Sequence, residues 1–126
     1  MDGIKNQLRV RVPASRDAVP LLRHKVVEAV TDAGDEERLR MGVALAASEL
    51  VSDVVRHASP QAGGEVEVEA WRTDGGITLI VRDGEPVRPV GDPAPGWGLA
   101  IVQQVATSLE VRRSGAVEFE ARFDAL

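Results

Sequence analysis

The spacing of apolar residues changes once along this chain, and that change does most to limit its fold. From Asp35 to about His57, apolar side chains recur every three or four residues, with Val43, Ala46, Leu50 and Val54 on one stripe. That is the period of a helix buried along one side. From Glu65 to Trp71 the repeat drops to two: Val66, Val68 and Ala70 alternate with Glu65, Glu67 and Glu69. The first set is predicted to face a core and the acidic set to face water. A long one-sided helix followed by half-buried strands predicts helices stacked on one face of a sheet.

The remaining segments fit the same scheme. Gln7 to Pro13 alternates, with Leu8, Val10 and Val12 on one side of a strand. Asp17 is placed to cap a first helix, with Pro20 in the first turn where a missing N–H does no harm. That helix is predicted to run through Leu21, Leu22, Val26, Val27 and Val30 to Gly34, a natural stop. Asp35 should cap the second helix, with Glu36 and Glu37 against its positive end. It should end near His57, before Ser59-Pro60 and Gly63-Gly64.

Asp74-Gly75-Gly76 is expected to supply the positive φ angles of a hairpin into a strand at Ile77 to Arg82. Residues 84–98 then hold four prolines and four glycines, the composition of a binding loop or lid. Leu99 to Leu109 reads as a helix, apolar at Leu99, Ile101, Val102, Val105 and Ala106. Glu110 to Arg113 and Val117 to Phe123 read as a closing hairpin around Ser114-Gly115. The order β-α-α-β-β-α-β-β predicts an α+β protein: a two-layer α/β sandwich, with helices on one face of a mixed, mostly antiparallel sheet.

Composition narrows the function classes. The 126 residues suit a single domain, and with 44% apolar but 3% aromatic residues its core must be Val, Leu, Ile and Ala. The absence of cysteine excludes disulfides, thiolate metal sites and cysteine nucleophiles. A net charge of -5 argues against a nucleic-acid or anionic-membrane surface. No apolar run approaches membrane-spanning length and no signal-peptide core is present, so a soluble, cytoplasmic protein is expected.

Three polar features stand out. Glu49, Asp53 and His57 lie four residues apart and stack along one side of the second helix. The two carboxylates repel at a cost of a few tenths of a kcal/mol, and a solvated acidic ridge is the plain explanation. Asp83-Gly84 closes a strand, as an ordinary turn or as a binding carboxylate. Gly96-Trp97-Gly98 opens a helix, where glycines admit a ligand to the backbone and free N–H groups attract phosphate; a lid hinge explains it equally well. With no Gly-x-x-x-x-Gly-Lys segment, a P-loop is excluded.

In order, the stretches 49–58 (Glu-Leu-Val-Ser-Asp-Val-Val-Arg-His-Ala), 83–86 (Asp-Gly-Glu-Pro) and 96–102 (Gly-Trp-Gly-Leu-Ala-Ile-Val) resemble the Bergerat-type, histidine-kinase-like ATP-binding family. That family includes histidine-kinase ATPase domains, gyrase-type ATPases and the anti-sigma-factor serine kinases. The Glu-Leu-Val opening and Arg-His-Ala ending are most similar to the last branch, and the resemblance runs from the first strand to the last.

The resemblance implies a protein that binds Mg·ATP, sequesters a sigma factor and phosphorylates a serine of an antagonist protein. It also suggests pairing as a homodimer, without direct nucleic-acid or membrane partners. Glu49 matches the general base that takes the proton of the acceptor hydroxyl. Asp53 stands where the family keeps an Mg²⁺-ligating asparagine, with Arg56 and His57 near the nucleotide. Asp83 matches the carboxylate that accepts from the adenine amino group, and Gly84 lets the base lie close. Gly96, Trp97 and Gly98 match the phosphate-binding lid, and Leu99 opens the following helix.

Three departures bear on catalysis. A carboxylate at Asp53 suits a hard cation but adds negative charge beside Glu49 and the triphosphate. The last hairpin keeps Gly115 without the Gly-Lys of serine-kinase relatives, and Trp97 replaces a basic residue. The competing reading is therefore a module that keeps the fold and partner surface without transferring phosphate. An accessory ATPase domain of a sensor kinase is a third, for which the chain leaves no room for a dimerisation helix.

Overall fold

The computed structural model describes residues 6–57, 64–84, 97–113 and 116–125, and the structural statements that follow concern these residues. The elements are β1 (Asn6–Pro13), α1 (Ala18–Val30), α2 (Glu37–His57), β2 (Glu65–Thr73), β3 (Gly76–Asp83), α3 (Trp97–Val105), β4 (Ser108–Arg113) and β5 (Val117–Asp124). They form one five-stranded sheet in the order β1-β2-β3-β5-β4, with the helices on one side. Every described pairing is antiparallel, so the parallel component expected of a mixed sheet does not occur among them.

The core is aliphatic, as the composition requires. From the helices it takes Leu22, Val26 and Val30 of α1, and Val43, Ala46, Ala47, Leu50, Val51 and Val54 of α2. From the sheet it takes Val66, Val68, Ala70, Ile77, Leu79, Val81, Phe119, Ala121 and Phe123. Phe119 is the largest fully buried side chain. Leu21, Ile101 and Val105, apolar positions of the two helices, are exposed at 44%, 37% and 37%. Four-residue steps along α1 bury Ala18, Leu22, Val26 and Val30 and turn Leu21 outward.

Several boundaries differ for identifiable reasons. Asp17 occupies the N-cap position of α1 without a side-chain cap bond. That helix stops at Thr31 rather than Gly34. Thr31 is extended at φ -122, and both its N–H (3.0 Å) and its hydroxyl (2.6 Å) donate to the Val27 carbonyl. Asp35, expected to cap α2, instead gives its carboxylate to the Arg72 fork at 2.6 and 2.8 Å and to the Asp32 N–H at 2.7 Å. Arg72 also donates to the Val30 carbonyl, so one guanidinium on β2 ties down the whole α1–α2 turn. α3 starts two residues early and ends at Val105. Beyond it, Thr107 N–H already bonds Arg122 O at 2.7 Å and β4 begins at Ser108.

The hairpin after β2 places its positive φ on Gly76 (135°), with none at Asp74 or Gly75. A Cβ on Gly76 would overlap the Phe123 carbonyl oxygen and lie 2.9 Å from Asp124 Cα, so both conformation and space require glycine.

The outer face of the sheet is a charged lattice. In the strand register Arg11, Glu67, Arg82, Glu118 and Arg112 form one row across all five strands, alternating in sign. Each neighbouring pair is bonded, at 3.1, 3.1, 3.0 and 2.9 Å in turn. Glu67, predicted to face water, is therefore only 7% exposed: it has the predicted face, but flanking arginines cover it. The expected turn at Ser114-Gly115 and residues 58–63 lie outside the described residues. No described helix is long and apolar enough to cross a membrane.

Candidate functional site

Asp83 ends β3, and strand alternation with Ile77, Leu79 and Val81 puts it on the helix-facing side of the sheet. Its cross-strand partner is Val66, at the start of β2, and it is half-buried. Gly84 extends the ladder by one bond, its N–H donating to Glu65 O at 2.8 Å. A charged group thus interrupts an otherwise apolar row just where the sheet ends.

The path of α2 brings its acidic residues to the same end. Near its start, Gly42 lies against Phe123 and Val105, within 3.7 Å of a Cβ built there. Phe123 pairs with Ile77, at the opposite end of β3 from Asp83. From Gly42 to Asp53 the helix climbs about 16 Å, and β3 covers about 20 Å between Ile77 and Asp83. The chain leaving α2 also re-enters the sheet at Gly64, beside Ala14 and next to the Val66–Asp83 pair. Asp53 and Asp83 therefore share one end of the sandwich and its helix-facing side.

Asp53 is buried, 6% exposed, between the core residues Leu50 and Val54. This is no solvated ridge. A buried carboxylate requires a counter-charge, and the guanidinium of Arg56, one helical turn on, bonds directly to it. The Arg56 side chain itself is 58% exposed. Such an acid–base pair at i,i+3 is readable in the sequence, but its burial is not.

Glu49 is half-buried and faces α3. A Cβ on Gly98 would overlap its carboxylate and lie 3.3 Å from its Cβ, so the missing side chain at Gly98 is what lets α3 close on Glu49. Leu99, next along, packs against the core. His57 is the last residue of α2 and Trp97 the first of α3. Gly96 and residues 85–95 lie outside the described residues. The structure thus gathers Glu49, Asp53, Arg56, Asp83, Gly84, Gly98 and Leu99 at the α2–β3–α3 end.

The donor set fits a divalent cation only in company with a ligand. Among the described residues no three acidic or histidine side chains cluster to hold a metal. Asp53 offers hard carboxylate oxygen, and a magnesium ion satisfied by one protein carboxylate takes its remaining oxygens from phosphates and water. The Asp35–Arg72 clamp lies off this site. The Arg72 guanidinium and the Asp32 N–H hold the Asp35 carboxyl down at about 2.

Comparison with known proteins gives a consistent result. The family model described as the histidine kinase-like ATPase domain matches residues 12–119. No curated protein matches in sequence. Among solved structures, the RsbU and RsbW domains of Rv1364c from Mycobacterium tuberculosis align with a TM-score of 0.73 at 21% identity. That alignment covers 93% of this chain and 32% of the other, so this chain spans about a third of that protein's length and shares the fold of the aligned part.

Proposed function

Because the chain belongs to the histidine kinase-like ATPase domain family, we propose that it binds Mg·ATP where α2, the end of β3 and the start of α3 meet. We propose further that it acts as a regulator of the anti-sigma serine-kinase type. The observation that carries the nucleotide reading is Asp83, a carboxylate on the helix-facing side of the sheet at the end reached by Asp53. Asp83 accepts from the adenine amino group; guanine presents a carbonyl there and would be repelled. Gly84 leaves room for the ring. Asp53, with Arg56 beside it, supplies an oxygen to Mg²⁺, while His57, Gly96, Trp97, Gly98 and Leu99 border the phosphates.

Bound Mg·ATP would supply the transferable phosphoryl group with its charge partly neutralised. Glu49, held against Gly98, takes the proton from the serine hydroxyl of an antagonist protein. The Glu-Leu-Val and Arg-His-Ala ends of the helix motif support this branch, and with it a sigma factor as the second partner. In this reading residues 1–126 form one cytoplasmic ATPase domain that pairs as a homodimer. A second reading, nucleotide binding without transfer, is favoured by the buried negative charge at Asp53 where the family has a neutral amide.

Calorimetry tests the shared part. Mg·ATP should bind the parent, GTP should not, and Asp83→Asn should weaken ATP by about 1–3 kcal/mol, the loss of one charged hydrogen bond. A parent that takes up no ATP, or an unchanged Asp83→Asn, overturns it. Labelled phosphate on an antagonist, present or absent, then separates the two readings.

A further inference from the structure

We propose that Arg56 is a tethered stand-in for the divalent cation: it neutralises Asp53 in the metal-free protein and yields the carboxylate when Mg²⁺ arrives with nucleotide. The inference rests on the nucleotide reading above and concerns how that site tolerates an aspartate.

Three observations lead to it. Asp53 is 6% exposed, so its charge is poorly hydrated and calls for a cation held close by. Arg56 meets that need from three residues further along α2. The two halves of the pair nevertheless differ in exposure: the Asp53 side chain is 9% exposed and the Arg56 side chain 58%. The carboxylate is fixed by the core, while the guanidinium sits on a long stem largely in water and can swing away without leaving a cavity.

Mg²⁺ carries twice the charge of a guanidinium and binds carboxylate oxygen directly, so it displaces Arg56 from Asp53 once phosphates complete its shell. Without the metal, Arg56 keeps Asp53 from repelling the triphosphate. A neutral asparagine would need no such device. The expected result is a site that still accepts ATP weakly in chelator, despite its extra acid.

The test measures ATP affinity by calorimetry, in saturating Mg²⁺ and in EDTA, for the parent, Arg56→Gln, Asp53→Asn and the double variant. Arg56→Gln should lose about tenfold in EDTA, the order expected for withdrawing one unit charge from a partly buried site. In Mg²⁺ it should stay within about threefold of the parent, since the metal has already replaced the guanidinium. In the Asp53→Asn background the guanidinium has lost its anchor and lies in water, where its charge is screened, so the same change should have little effect under either condition. Equal losses in EDTA and Mg²⁺, or a full loss in the Asp53→Asn background, would mean that Arg56 touches phosphate directly and would overturn the proposal. An unaltered EDTA affinity overturns it too. If the parent binds no ATP at all, the nucleotide reading itself fails and this inference goes with it. Urea unfolding of each variant without nucleotide shows separately whether the fold is kept.

Discussion

Replacing Asp35 by asparagine isolates the clamp that fastens the α1–α2 turn to the sheet. The Asp35 carboxyl falls from its ordinary 3.8 to about 2, first through the Arg72 hydrogen bonds and then through the Asp32 N–H. Both side chains are largely covered, 14% and 24% exposed, so solvent screens the contact in part and the value is an upper figure. At about 1.4 kcal/mol per tenfold, that fall corresponds to at most about 2 kcal/mol of stability at neutral pH. The folded form holds its proton less tightly than the unfolded form. The contribution is therefore complete above 3.8 and is lost as pH drops through about 2.

Asp35→Asn should thus lower the neutral-pH stability by about 2 kcal/mol. With a urea dependence near 1.5 kcal/mol per molar, the midpoint moves down by roughly 1.3 M. Urea titrations from pH 7 to pH 2 should show parent and variant converging below about pH 4, because the variant has no carboxylate there to protonate. Curves that stay parallel through this range would refute the assignment of the low pKa to the Arg72 contact. Nucleotide binding by the folded variant should be unchanged, since the clamp lies off the site.

Gly98→Ala sets a helix-propensity gain of up to about 1 kcal/mol against an off-rotamer Glu49 of similar cost. Its thermal stability should stay near the parent's while phosphate transfer, if the parent shows it, falls about a hundredfold. Gly76→Ala should cost on the order of 3 kcal/mol in urea unfolding, because a strained φ coincides with overlap on the backbone of β5. Glu67→Ala should cost about 2 kcal/mol and Glu110→Ala under about 0.5 kcal/mol in the same assay, since the first is covered and the second is exposed.

Much of the fold was legible because apolar period reports which side of an element is buried. The α2 stripe and the Val66-Val68-Ala70 row are both where their spacing put them. Alternation names a face but not what lies on it, so the cover that Arg11 and Arg82 place over Glu67 was out of reach. Local stop signals misled at Gly34, where Thr31 had already bent the chain by bonding Val27, and at Asp35, whose carboxylate went to a strand rather than to its own helix. At the candidate site, motif order named the residues. That α2 carries Asp53 to the Asp83 end follows from Gly42 lying on Phe123, a contact between residues 81 positions apart that no local pattern encodes.

The five-strand row of alternating charges lies on the face remote from all of this, yet it acts on the site like the teeth of a rack. Sliding any strand by one position would set arginine over an apolar neighbour and turn valines outward. Val12, Val66 and Asp83 are the next residues along β1, β2 and β3 from Arg11, Glu67 and Arg82. Whatever indexes the outer teeth therefore also indexes Asp83 beneath α2, and neutralising the row would cost alignment at the far side before it cost the fold.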